Sequence, residues 1–110
     1  MNSIKTILVV DDNKINRQIL KKILTDYYKV VEAENGQIAL DILTKDRIEF
    51  SAVLLDLTMP VMDGYTFLHR VQENSSLKNI PIIVTTSHSE TEKEIEALKV
   101  GAWDFVTKPY

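Results

Sequence analysis

The chain has 110 residues, a formal net charge of −3 and no cysteine, so it can form a single domain without disulfides or cysteine-ligated zinc. Hydrophobic residues make up 45% and charged residues 26% of the sequence, and the absence of a basic block argues against direct binding of nucleic acid by this chain. The apolar run near the N-terminus is too short for a signal peptide or a membrane span, which predicts a cytoplasmic protein with no membrane partner.

The first half of the chain shows the pattern strand, helix, strand, helix. Residues 6–10 are a continuous aliphatic run, which is typical of a strand buried on both faces. Apolar residues then recur at helical spacing over 15–27, and residues 28–33 form the second predicted strand. The dipeptide Asn35-Gly36 predicts a turn before a second helix, whose apolar face runs over 38–43.

The second half of the chain continues this alternation. Its predicted strands are 52–55, 80–85 and 102–107. Apolar residues at helical spacing between Tyr65 and Val71 predict the third helix. A capping box of Ser89 and Glu92 opens the fourth helix, and Gly101 should end it. Strands that alternate with helices predict one α/β domain with a doubly wound parallel sheet.

Four of the predicted strands end in side chains that can carry phosphoryl chemistry: Asp11 and Asp12, Asp56, Thr86, and Lys108. Ligands of parallel sheets bind outside the carboxyl ends of the strands, so these groups should meet at one edge. Three carboxylates provide the oxygen ligands that Mg²⁺ prefers, and an ammonium and a hydroxyl can stabilise a transferring phosphoryl group. Asp56 is the natural nucleophile, because it is the single charged residue at the end of the central strand.

Each of these residues also has an ordinary structural explanation. An aspartate after a strand usually caps a helix or forms a turn, and Asp12 in particular could cap the first helix. Taken singly, Lys108 would be a solvated lysine and Thr86 a strand-end hydroxyl. The combination of complementary groups at four separate strand ends favours a functional site.

The chain resembles the receiver domain of two-component response regulators, and the resemblance covers residues 1–110. The matching motifs are Val9–Asp12, Leu55–Pro60 with Met62–Gly64, Pro81–Thr86, and Gly101–Pro109. The resemblance implies a flavodoxin-like five-stranded sheet with strand order 2-1-3-4-5. It also implies a signalling switch rather than an enzyme, since a receiver catalyses only its own phosphorylation and dephosphorylation.

The resemblance implies a role for each site residue. Asp56 would accept a phosphoryl group from a histidine of a sensor kinase or of a histidine phosphotransfer protein. Thr86 and Lys108 would contact the phosphoryl oxygens, with Thr85 a less favoured candidate than Thr86. The implied Mg²⁺ ligands are Asp11, Asp12, Asp56 and the backbone carbonyl of Thr58.

The resemblance also points to residues that transmit or time the signal. Phe105 matches the family's switch aromatic, which turns inward when the threonine moves toward the phosphate. Thr58 and His88 lie two residues after the acceptor and the threonine, where the family tunes hydrolysis. We hypothesise that His88 affects the attacking water.

The family's last helix has no counterpart here, because only Pro109 and Tyr110 follow the fifth strand. We expect that helix to lie beyond this chain, which would then be the N-terminal receiver portion of a longer protein with a linked output domain. An uncovered sheet face would also permit a homodimer.

Three other functions fit parts of the pattern. A phosphohydrolase of the haloacid dehalogenase type needs a second aspartate two residues after the nucleophile, where Thr58 stands. A flavodoxin-like flavin carrier needs a hydroxyl- and glycine-rich phosphate loop, whereas residues 11–14 would repel the phosphate. A degenerate receiver that acts as a phosphorylation-independent binding module remains the alternative, although the retained site residues argue against it.

Overall fold

Strands and helices alternate throughout the computed structural model, which describes residues 4–45, 49–57, 62–86 and 91–107, with 91–94 described by their backbone. The strands are β1 (Thr6–Val10), β2 (Lys29–Ala33), β3 (Phe50–Asp56), β4 (Ile82–Thr86) and β5 (Asp104–Thr107). The helices of the described residues are α1 (Lys14–Leu24), α2 (Gly36–Lys45), α3 (Gly64–Gln72) and α4 (Thr91–Val100). None of these helices has the length and apolar character needed to cross a membrane.

The five strands form one parallel sheet in the order β2-β1-β3-β4-β5. The predicted fold class and the strand order implied by the resemblance are therefore confirmed. The connection from β2 to β3 passes over β1, so the direction of winding reverses between β1 and β3. Ligands of such sheets bind beyond the carboxyl ends of the strands at this reversal.

The sheet has a large core on one side, because alternate strand residues point to opposite faces. We call this the larger core. It contains Leu8, Val10, Val53, Leu55, Ile82 and Val84 of the strands, with Phe67, Leu68 and Val71 of α3, Ala39 and Leu43 of α2, and Ala97 of α4 among its helix residues. Three helices therefore cover this side.

The other side of the sheet has a much smaller core, made of Ile7, Val9 and Leu20. We call this the smaller core, and α1 is the helix that contributes to it. Leu54 of β3 is only half-buried against it. All residues of β5 are exposed. The side of α1 is thus the less covered side of the sheet in the described part of the chain.

Three strands begin later than the sequence predicts, and all three have the same cause. The N–H of an early residue in each predicted strand bonds back to the preceding helix or to the turn after it. These bonds join Tyr28 to Leu24 (2.9 Å), Ile80 to Leu77 (3.0 Å) and Ala102 to Ala97 (3.0 Å). At Tyr28 and Ala102 the end of a helix, and at Ile80 a turn after α3, occupies residues that the hydrophobic pattern assigns to a strand. By contrast, β3 extends beyond the predicted 52–55 at both ends.

The apolar stripe that predicts α1 is mostly exposed. Ile15, Ile19 and Ile23 lie on the surface, whereas Leu20 is the buried residue of the helix. In α4, Ile95 and Leu98 are likewise exposed and Ala97 is buried. The helices themselves are confirmed, and α4 ends as predicted at Gly101, which has a φ of 131°. The predicted capping box lies outside the residues whose side chains are described.

Candidate functional site

Three carboxylates meet at the reversal of winding. Val10 of β1 pairs with Leu55 of β3, so the next residue of each strand brings Asp11 beside Asp56. Asp11, Asp12 and Asp56 each offer an oxygen atom, and these oxygens lie within 4.8 Å of one another. Asp11 is 1% exposed and Asp56 is 6% exposed, whereas Asp12 is on the surface. The predicted convergence of these three side chains is confirmed.

This donor set fits a hard divalent cation. Oxygens on opposite sides of a Mg²⁺ ion lie about 4.2 Å apart, since each Mg–O distance is about 2.1 Å. The observed 4.8 Å spread therefore needs only small side-chain rotations to bring the three oxygens around one ion. Two buried carboxylates and one exposed carboxylate also leave the solvent side open for water or a phosphoryl oxygen.

Asp11 is held in place by its own backbone and by its neighbours. Its N–H donates to the carbonyl of Ala33 on β2 at 3.1 Å, which extends the β1–β2 ladder by one residue. Its Oδ1 accepts from the N–H of Asn13 at 2.9 Å. Its carbonyl accepts from Nη1 of Arg17 at 2.7 Å. The first candidate metal ligand is therefore fixed at its N–H, its carbonyl and its side chain.

The cap of α1 is Asn13, and the capping explanation for Asp12 is wrong. The Oδ1 of Asn13 accepts from the N–H of Asn16 at 3.1 Å, and Asn13 has the extended backbone of an N-cap residue. A helix needs only one such residue at its first turn. The carboxylate of Asp12 lies instead in the acidic cluster.

The backbone after Asp56 leaves room only for a glycine at position 64. A Cβ on Gly64 would lie 2.6 Å from Cα of Leu57 and 3.0 Å from the carbonyl oxygen of Asp56. The N–H of Gly64 donates to the carbonyl of Leu57 at 2.9 Å. Asp63 caps α3 by accepting from the N–H of Thr66 at 2.9 Å. This close approach anchors the end of β3. The sequence motif contains Gly64, but the sequence alone does not give the reason for a glycine there.

The two threonines at the end of β4 are both buried. Thr86 is the last residue of the strand and pairs with Thr107 of β5. Thr85 is the Cα partner of Asp56, and its Oγ1 has no hydrogen-bond partner among the described residues. Backbone pairing therefore brings both residues to the edge that carries the acidic cluster, and the phosphoryl-binding role of Thr86 stays a prediction.

Phe105 lies on β5 as predicted, beside Val84 of β4. The residue is 36% exposed, so its ring is partly in contact with the protein and partly with solvent. Three further site residues, Lys108, Thr58 and His88, lie outside the described residues, and their roles also stay predictions.

Two residues near the site were missed by the sequence reading. Arg17 of α1 and Glu32 of β2 form an ion pair at 3.2 Å, with Arg17 also bonded to Asp11. The sequence could have indicated Arg17, because it lies one turn after the cap of α1 and is therefore close to the β1–α1 loop. Glu32 offered no such signal, because its partner is 15 residues away along the chain.

The chain is similar to proteins of one family. A sequence model described as the response regulator receiver domain matches residues 7–110. The response regulator PleD of Caulobacter vibrioides is 36% identical over 104 residues, which cover 94% of this chain and 22% of PleD. Over this and two other long relatives, the chain spans only 13% to 23% of the relative's length.

Solved structures give the same result. The chemotaxis response regulator CheY4 of Vibrio cholerae superposes with a TM-score of 0.89 at 35% identity, over 98% of this chain and 89% of that chain. The Mn²⁺-bound form of the response regulator Rcp1 superposes with a TM-score of 0.85 at 25% identity, over 96% of this chain and 81% of that chain.

Proposed function

The chain belongs to the response regulator receiver domain family, and we propose that it is a phosphorylation switch in which Asp56 accepts a phosphoryl group from a phosphohistidine. Receiver domains are signalling switches of two-component systems that take their phosphoryl group from histidine kinases. The observation that carries the proposal is the cluster of Asp11, Asp12 and Asp56 oxygens within 4.8 Å at the end of β1 and β3.

The buried carboxylate of Asp56 is the proposed nucleophile. One of its oxygens bonds to phosphorus while the bond from phosphorus to the histidine nitrogen breaks, and the imidazole keeps the electron pair. Thr86 and Lys108 would contact the phosphoryl oxygens, and their hydrogen bonds would strengthen as charge builds up there. The product is an aspartyl-phosphate on a strand end that is anchored by backbone bonds.

We assign Mg²⁺ binding to Asp11, Asp12 and Asp56, with the carbonyl of Thr58 as a further ligand. The bound ion would supply charge neutralisation for the incoming phosphoryl group. Asp11 and Asp12 provide two of the carboxylates, and the exposed position of Asp12 keeps one side of the site accessible. The Mn²⁺-bound form of Rcp1, a structural neighbour, supports a divalent cation in this fold.

Phe105 is the proposed reporter of phosphorylation. Thr86 and Val84 lie on the same face of β4, two residues apart, and Val84 is the neighbour of Phe105 on β5. A movement of Thr86 toward phosphorylated Asp56 would therefore be transmitted along one strand to the ring of Phe105. The half-exposed ring can change its exposure without opening the larger core.

The chain is proposed to be the receiver portion of a longer cytoplasmic protein with a linked output domain. Its match to only 13% to 23% of long relatives supports this proposal, and so does the exposed β5. A further helix, or a second copy in a homodimer, would cover the side of the smaller core.

Intact mass after incubation with acetyl phosphate and Mg²⁺ tests the proposed function. A single phosphoryl adduct is expected, and it should disappear with Asp56→Asn or with a chelator. Asp26→Asn is the matched control, because Asp26 is an exposed aspartate that follows α1; that variant should accept the phosphoryl group normally. A folded protein that gives no adduct would contradict the proposal and favour a phosphorylation-independent binding module.

A further inference from the structure

Arg17 joins the acidic site to the edge strand of the sheet. Its side chain is only 13% exposed. Nη1 donates to the carbonyl of Asp11 at 2.7 Å, and Nε donates to Oε1 of Glu32 at 3.2 Å. A single guanidinium therefore bridges the β1–α1 loop and β2. The planar group has donors pointing in two directions, which suits it to such a bridge.

β2 consequently fixes both backbone groups of Asp11, the N–H directly and the carbonyl through Arg17. Ala33 accepts from the N–H of Asp11 at 3.1 Å. The preceding residue, Glu32, fixes Arg17, which in turn holds the carbonyl of Asp11. Two adjacent residues of one strand thus set the orientation of the backbone on each side of the first candidate metal ligand.

The carbonyl that Arg17 holds belongs to the peptide between the two candidate metal ligands of this loop. That peptide joins Asp11 to Asp12, and its atoms from one Cα to the next are close to planar. A hydrogen bond to its oxygen therefore restricts the rotation of the whole unit. The bond orients the Cα atoms, and hence the carboxylates, of both Asp11 and Asp12.

We propose that Arg17 and Glu32 are a positioning pair that pre-orients Asp11 and Asp12 for the divalent cation. The inference rests on the proposed function, since it concerns the same acidic site. Partners of metal ligands that do not touch the metal commonly set the affinity of a site by holding its ligands in a binding geometry. Arg17 does this through the backbone, and Glu32 acts only through Arg17.

Charge and positioning predict opposite changes when Arg17 is replaced. A guanidinium near a cation site repels the cation, so loss of its charge alone would tighten Mg²⁺ binding. Loss of positioning would weaken Mg²⁺ binding. Weaker Mg²⁺ binding after loss of the guanidinium therefore cannot come from the lost charge and indicates lost positioning.

The experiment is a Mg²⁺ titration by calorimetry on the wild-type chain, Arg17→Met and Lys21→Met. Lys21 is the matched control, because it lies on the same helix and pairs with the same Glu32 at 3.7 Å. We expect Arg17→Met to weaken Mg²⁺ binding about tenfold. Lys21→Met should change it by less than about twofold, since Lys21 is half-exposed and its charge is screened. Amide chemical shifts of Asp12 and Asn13 in the metal-free protein should move in Arg17→Met and not in Lys21→Met.

Arg17→Lys and Glu32→Gln keep the inference testable if Arg17→Met does not fold. Lysine keeps the charge but lacks the planar guanidinium that bonds to Asp11 and Glu32 at once. Arg17→Lys should therefore also bind Mg²⁺ more weakly. Glu32→Gln should weaken binding more in the wild-type background than in Arg17→Lys. Loss of its negative charge acts in both backgrounds, whereas its effect through the guanidinium of Arg17 is present only in the first. Equal or tighter Mg²⁺ binding by folded Arg17 variants would overturn the inference alone. A wild-type chain that binds no Mg²⁺ would overturn the proposed metal site itself.

Discussion

The two sides of the sheet are covered very differently, although they share the same strands. On the side of the larger core, three helices bury a continuous set of side chains that includes Phe67 and Leu68. On the side of the smaller core, α1 contributes Leu20 as its buried residue. The edge strand β5 is exposed on both of its faces. The acidic site lies at the end of strands that are shared by both sides. Its rigidity must therefore come mainly from the larger core and from the backbone bonds around Asp11 and Asp56.

The difference in coverage also suits the two sides to different roles, one in holding the geometry of the site and one in contacting another segment or protein. Closely packed interiors transmit displacement and hold geometry, which the proposed phosphoryl site would require. Apolar residues such as Ile23 and Val106 leave about half of their surface exposed, and this surface is available for contact with another segment or protein. Substitutions on the two sides should therefore differ in size and in kind.

Loss of an aromatic side chain from the larger core should destabilise the chain more than any other substitution considered for the two sides. Phe67 is fully buried, and Phe67→Ala should lower the free energy of unfolding by about 3 to 5 kcal/mol because it leaves a cavity. Phe105→Ala removes the same side chain from the exposed β5 and should cost about 1 kcal/mol. Urea denaturation measures both values. Equal losses would show that β5, at the edge of the sheet, is as well covered as the larger core.

A smaller effect is expected where α3 approaches the end of β3. Gly64→Ala places a Cβ 2.6 Å from Cα of Leu57, and the resulting backbone shift should cost about 1 to 3 kcal/mol. Since the shift displaces the residue after Asp56, phosphorylation by acetyl phosphate should slow as well.

Gly36→Ala is the control for Gly64→Ala. A Cβ on Gly36 would lie 3.1 Å from Met62, including two atoms of its flexible side chain. The methionine can move aside more easily than the backbone of Leu57, so the loss of stability should be smaller and phosphorylation should keep its rate. The reverse order of the two variants would contradict the account of the β3 end.

Removal of the α1 cap should have an intermediate effect on the less covered side. Asn13→Ala loses the acceptor for the N–H of Asn16 and should cost about 1 kcal/mol. Asp12→Ala, measured in buffer without metal, should not destabilise the chain, because it removes one of three mutually repelling carboxylates. Thermal unfolding of the two variants compares them directly. A larger loss with Asp12→Ala would restore the capping explanation for that residue.

Most of the fold and the acidic cluster could be predicted from the sequence because both depend on local patterns. A buried parallel strand such as β1 is a continuous aliphatic run, and its end places Asp11 at the ligand-binding edge whatever the details of packing. The predicted starts of β2 and β5 were too early, because the N–H groups of Tyr28 and Ala102 donate to the preceding helices. Arg17 and Glu32 could not be paired from the sequence, because a contact across 15 residues follows from the packing of α1 on β2.

The exposure of the apolar stripe of α1 could not be predicted from the sequence either. The spacing of Ile15, Ile19 and Ile23 identifies a helix with an apolar face, but spacing does not say whether that face is covered. The hydrophobic residues of α1 fall into two groups. Leu20 packs against the sheet, whereas the isoleucines lie on the surface. Only the three-dimensional packing distinguishes them.

The smallest expected effect tests that exposed face directly. Ile23 is 52% exposed, and Ile23→Ser should change the stability of this chain by no more than about 0.5 kcal/mol. Isoleucine and serine have similar helix propensities, so the helix itself should not be affected. Lys22→Ser on the same helix controls for the general effect of a serine. In a longer chain whose further residues pack on the smaller core, Ile23→Ser should instead cost about 1.5 to 3 kcal/mol. The same small value in both chains would mean that this side stays open, and that α1 keeps its apolar stripe for a separate partner.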